Sequence, residues 1–119
     1  EGRKLEEMGE AGLLFFTDPF RFEGFPNGET VRDVCRRNQD FLMELSARND
    51  GKTYLIGSHG CALRAMVNSL YPDPSDFWRG HAPYNCSVTI VEVRGGVPQL
   101  VEEDKVFYAP DLIVDHYRR

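Results

Sequence analysis

A short apolar run, Thr53-Tyr54-Leu55-Ile56-Gly57, leads into Ser58-His59-Gly60 and then into a helix-like stretch from Cys61 to Leu70. The run is bounded by turn residues and fits a buried strand, while Ala62, Leu63, Ala65 and Met66 give the stretch after it an apolar helical face. Pro72 and Pro74 stop that helix. A strand that turns through a glycine into a helix is the building unit of α/β architectures, so this segment predicts an α/β fold. It also puts His59 at the C-terminal end of the strand, in the crevice where such folds bind ligands. The helix that follows offers unpaired backbone N–H groups and the positive end of its dipole, both favourable for an anion. Gly60 allows a substrate or another segment to come close to the backbone. A histidine in this position can donate to a phosphoryl oxygen and stabilise charge as it develops. Position alone leaves a second reading open, in which Ser58 caps the helix and His59 only satisfies local hydrogen bonds.

The rest of the chain extends the α/β reading. Residues 3–16 begin polar and end in Leu13-Leu14-Phe15-Phe16, a pattern for a short helix with an apolar end. Residues 17–29 hold two prolines and two glycines among three phenylalanines, which predicts a loop that packs against the body of the protein. Thr30 followed by Asp33 resembles a capping box, and Val31, Val34, Cys35, Leu42 and Leu45 share one face of the helix it opens. Asn49-Asp50-Gly51 closes that helix. Residues 71–85 form a second long loop, carrying Trp78, Arg79, His81 and Asn85. Ser87–Val93 alternates like a strand, Arg94-Gly95-Gly96-Val97-Pro98 turns, and Leu100–Phe107 returns antiparallel to it. The expected sheet is therefore mixed, with a C-terminal antiparallel hairpin. Asp111–Arg119 reads as a short amphipathic end, with His116 exposed.

Composition removes several classes of function. An apolar share of 41% supports a real core, and a net charge of -5 gives no basis for nucleic-acid binding. Any phosphate site must then be made locally from a few Arg, His and backbone N–H groups. Cys35, Cys61 and Cys86 lie far apart without a CxxC pair, which argues against a disulfide framework or structural zinc. No stretch reaches membrane-spanning length and no signal-peptide core opens the chain, so no membrane partner is expected and the cytoplasm is the expected compartment. An α/β-hydrolase elbow would need glycine where Ile56 stands. A caspase-like His-Cys dyad would need a sequence context that neither Cys61 nor Cys86 has.

Three motifs fall in the order and spacing of a known superfamily. Ser58-His59-Gly60, between an apolar run and a helix containing Leu63-Arg64-Ala65, resembles the second histidine motif of the histidine phosphatases, in their phosphoglycerate mutase-like branch. Gly28-Glu29-Thr30 with Asp33 and Arg37 resembles the helix start upstream of that histidine. Pro83-Tyr84-Asn85-Cys86-Ser87 resembles the entry to the strand that follows it, and Glu1-Gly2 is similar to the end of an earlier acidic motif. No Asp follows His59, which points away from the acid-phosphatase and phytase branch. The resemblance implies the C-terminal portion of a three-layer fold and a small phosphorylated metabolite as substrate, with no cofactor and no metal. It also implies two-step transfer: a nucleophilic histidine takes the phosphoryl group, and water or a second substrate oxygen removes it. On this pattern His59 holds the transferring oxygens, with Ser58, Gly60, Asn85 and Arg37 as candidate substrate contacts.

The Arg-His-Gly motif of the nucleophile does not occur in the 119 residues; Arg79-Gly80-His81 has the same letters in another order. The chain also starts at Glu1 rather than Met, inside a charged segment. The expectation is a single partial domain over residues 1–119, lacking the Arg-His-Gly segment, unstable alone or completed by a second copy or a missing N-terminal segment. A catalytically inactive phosphatase-like binding or assembly module is the alternative. Glu29 reads as a helix-start residue rather than the acid, and Arg64 as half of a surface ion pair. Short segments around His59 favour phosphatase over mutase.

Overall fold

A computed structural model describes residues 4–114. Helix α1 spans Gly9–Thr17, α2 Val31–Ala47 and α3 Gly60–Val67; strands β1 (Val88–Arg94) and β2 (Val97–Lys105) follow. The apolar end of the first predicted helix is α1, and a 3-10 turn over Leu5–Met8 precedes it. The long helix is the best-specified element. Thr30 Oγ1 accepts the Asp33 N–H at 3.1 Å and donates to Asp33 Oδ2 at 2.7 Å, so the cap ties both groups of the first turn. Val31, Cys35 and Leu42 are buried on one face. Asn38 and Ser46 complete that stripe by bonding back to the carbonyls of Val34 and Leu42 at 2.8 and 2.7 Å, which makes their burial tolerable.

The core is aromatic. Phe22, Val31, Cys35, Ala65 and Phe77 are buried together, with Phe15, Phe20, Phe25 and Trp78 packed against them. Phe22 meets Phe25 edge-on at 4.6 Å between centroids and Phe15 at 5.4 Å, so the 17–29 loop packs inward as its composition predicted. Trp78 Nε1 donates to the Phe15 carbonyl at 2.9 Å and fixes the second long loop to the end of α1.

The C-terminal hairpin is present, with Gly95 and Gly96 both at positive φ (57° and 78°) in its two-residue turn. β2 begins at Val97, nearer the turn than expected, because Arg94 and Val97 already pair. The sheet differs from the sequence reading. Its order is β1-β2 only, and 53–57 lies in neither strand. Tyr54, Leu55 and Ile56 are exposed, Leu55 at 97%. Composition makes this run a strand former, but a strand needs a neighbour, and among the described residues none lies beside it. The α/β class and the hairpin stand; the mixed sheet and the burial of 53–57 do not appear in the described residues.

Candidate functional site

His59 occupies the N-cap of α3, with extended backbone (φ -112°, ψ 155°), and its carbonyl accepts the Leu63 N–H at 2.8 Å. Ser58 therefore is not the cap, and the His59 side chain makes no capping hydrogen bond to the helix. The amides of Gly60, Cys61 and Ala62 have no partner among the described residues, and these are the groups that favour an anion. Ser58 and His59 are both exposed. The His59 imidazole has no hydrogen-bond partner among the described residues, so the reading in which it merely satisfies local hydrogen bonds has nothing to support it. A Cβ on Gly60 would lie 3.5 Å from Pro83 Cδ, which puts the Pro83-Tyr84-Asn85 segment beside the His59 turn.

The other candidates are arranged less simply. Asn85 is exposed in a turn before Cys86 (φ 58°); its carbonyl accepts the Tyr108 hydroxyl at 2.9 Å, while its side chain makes no hydrogen bond among the described residues. Arg37 grips Glu29 with two bonds of 2.7 and 2.9 Å. That bond pulls the Glu29 carboxyl below its ordinary range, an environment unsuited to proton donation near neutral pH. Arg37 also interacts electrostatically with Cys61, in the first turn of α3. Burial, with Cys35 nearby, pushes the Cys61 thiol up to about 11, so it is not a nucleophile. Cys35 is buried and Cys86 exposed, all three thiols being free. His81 stacks on Tyr84, with centroids 4.7 Å apart and planes within 8°. Glu1, Gly2 and His116 lie outside the described residues.

Sequence reasoning placed Arg64 wrongly. It pairs with carboxylates, as expected, but inside the protein: its side chain is 1% exposed. It bonds Glu103, Asp104 Oδ2 (2.7 Å), the Tyr71 hydroxyl (3.2 Å) and the His81 carbonyl (3.1 Å). Arg79 Nε holds the other oxygen of Glu103 at 2.9 Å. The carboxylates lie 39 and 40 positions away, so no local pattern links them to Arg64. The available signal was a lone charge on an apolar helix together with the acidic run Glu102-Glu103-Asp104 in a strand. A cleft of about 240 Å³ is lined among others by Phe16, Asp76, Trp78 and His81; His59 does not line it.

A family model described as the histidine phosphatase superfamily (branch 1) matches residues 1–104. The match spans most of the chain and takes in the His59 turn, the Gly28-Glu29-Thr30 helix start and the Pro83–Ser87 entry to β1. This chain belongs to the histidine phosphatase superfamily. No curated protein and no solved structure matches it. No helix among the described residues is long and apolar enough to cross a membrane, and no group of three metal-ligating side chains is found among them.

Proposed function

We propose that the protein acts on a small phosphomonoester through a phosphohistidine intermediate, with His59 donating an N–H to an oxygen of the transferring phosphoryl group. The observation that carries this reading is the exposed imidazole at the head of α3, which, like the three amides that open the helix, has no hydrogen-bond partner among the described residues. Donors aimed in advance at developing charge need no rearrangement during the reaction. Ser58 and Gly60 shape the turn, and Arg37 adds positive charge near it through the start of α3. Asn85 is the candidate contact from the facing segment.

Residues 1–119 act in this reading as part of a domain, and the nucleophile comes from an Arg-His-Gly segment outside them, on a preceding stretch or on another chain. The nucleophilic nitrogen attacks phosphorus, the bond to the leaving oxygen breaks, and an acid protonates that oxygen. Water then attacks the phosphohistidine, releasing phosphate and restoring the histidine. Hydrolysis is favoured over mutase chemistry because the segments around His59 are short. The cytoplasm is the proposed compartment.

The test is phosphate release from p-nitrophenyl phosphate by the protein together with its Arg-His-Gly segment. His59→Ala should lower kcat by roughly 10²–10³, the loss typical of one removed oxyanion donor. Absence of both turnover and acid-labile phosphohistidine would refute catalysis and leave a binding or assembly module.

A further inference from the structure

Glu103 and Asp104 are neighbours in β2, yet both reach the Arg64 guanidinium. In a regular strand adjacent side chains leave opposite faces. The hairpin breaks that alternation here. From Val88↔Lys105 to Ile90↔Glu102, two steps along β1 face three along β2, the signature of a bulge. Asp104 takes φ of 54°, a conformation that a non-glycine residue keeps only when its surroundings hold it. Local regularity is given up so that two carboxylates meet one arginine, and such departures mark constrained sites.

The cluster joins three parts of the chain. Arg64 belongs to α3, the carboxylates to β2, and Arg79 and His81 to the loop between them. Two cations face two carboxylates, Tyr71 bridges Arg64 and Glu103, and His81 Nε2 stands 3.7 Å from Asp104 Oδ2. Arg64 also holds the His81 carbonyl at 3.1 Å, and two residues further on Pro83 faces Gly60 closely enough that a Cβ there would lie 3.5 Å from Pro83 Cδ. Gly60 is bonded directly to His59, whose ring has no hydrogen-bond partner among the described residues.

We propose that Arg64 is a positioning residue. Through the His81 carbonyl and the carboxylates of β2 it fixes the loop whose Pro83 faces Gly60, and so sets the aim of His59. The inference rests on the assignment of His59 to the phosphoryl oxygens, where aim governs rate.

The test is NMR of ¹⁵N-labelled protein without substrate, following the Gly60 amide and the His59 ring. Pro83→Ala and Arg64→Lys should each shift both, while the amides of Phe41 and Met43 on α2 stay in place. Lysine keeps the charge but cannot span the four acceptors. The double variant should resemble Pro83→Ala alone, because both substitutions cut one line of contact. If Arg64→Lys does not fold, Asp104→Asn, which keeps the side-chain shape and tolerates positive φ, takes its place with the same expectation. Unmoved Gly60 and His59 signals in either folded variant, or simple addition of the two shifts, would overturn the proposal. These signals are read without turnover, so an inactive protein still tests positioning. Activity with unmoved signals would sink the positioning role and leave the function intact.

Discussion

Replacing Arg64 by methionine removes a cation that is itself almost wholly shielded from water. The side chain is 1% exposed, and its partners Glu103 and Asp104 are only 17% and 9% exposed. Methionine fills most of the volume but leaves Asp104 without its arginine, the His81 carbonyl without its donor, and Glu103 with only Arg79 and the Tyr71 hydroxyl. Breaking a buried ion pair from one side costs about 3–5 kcal/mol, a large part of the roughly 5–15 kcal/mol that holds a domain folded. With a urea slope of roughly 1–3 kcal/mol/M, a loss near 4 kcal/mol lowers the unfolding midpoint by roughly 1–4 M. Arg37→Met is the internal control. It breaks an equally well-formed bidentate pair, but both partners are about half exposed, and solvent screening leaves little to lose. Circular dichroism of both variants in urea at pH 7 measures the contrast. Adding Glu103→Gln and Asp104→Asn to Arg64→Met should restore part of the midpoint, because most of the penalty is uncompensated charge. If Arg64→Met unfolds no earlier than Arg37→Met, the burial argument is wrong.

Thr30→Ala removes both the acceptor for the Asp33 N–H and the donor to its carboxylate, and should cost about 1 kcal/mol, read as a fall in melting temperature of about 4–8 °C. An unchanged melting point would mean that α2 does not depend on its cap. Leu55→Lys should reduce concentration-dependent self-association in sedimentation velocity while leaving stability within about 0.5 kcal/mol, since Leu55 is exposed and unpaired; a large loss of stability would show that the segment is packed in solution. At pH 8 a disulfide reagent should modify Cys86 first and Cys61 slowly, because burial holds the Cys61 thiol near 11. Loss of the fast phase in Cys86→Ser checks the order.

Local signals in the sequence were reliable. The aromatic content of 17–29 was enough to signal that Phe22 and Phe25 pack inward, and the Thr30–Asp33 cap and the Gly95-Gly96 turn each depend on residues within a few positions of one another. The same is true of His59 at the head of α3, which needs only a helix that starts at Gly60. The non-local features were not legible. Thr53–Gly57 has the composition of a strand, but its state depends on a neighbour that no local pattern supplies. Arg64 looked like a surface residue because its carboxylates come from a strand 39 and 40 positions later, brought together by a bulge and a positive φ at Asp104. Asn85 was chosen by its motif, and only the fold showed that its carbonyl, rather than its side chain, is engaged.

Titration of the ¹⁵N-labelled protein with inorganic phosphate tests most directly whether the His59 turn is a phosphoryl site. The account predicts saturable shifts of the His59 ring and of the Gly60, Cys61 and Ala62 amides, with the amide shifts weakened in His59→Ala. Phosphate that moves none of these signals, or moves the amides equally without the histidine, would contradict it.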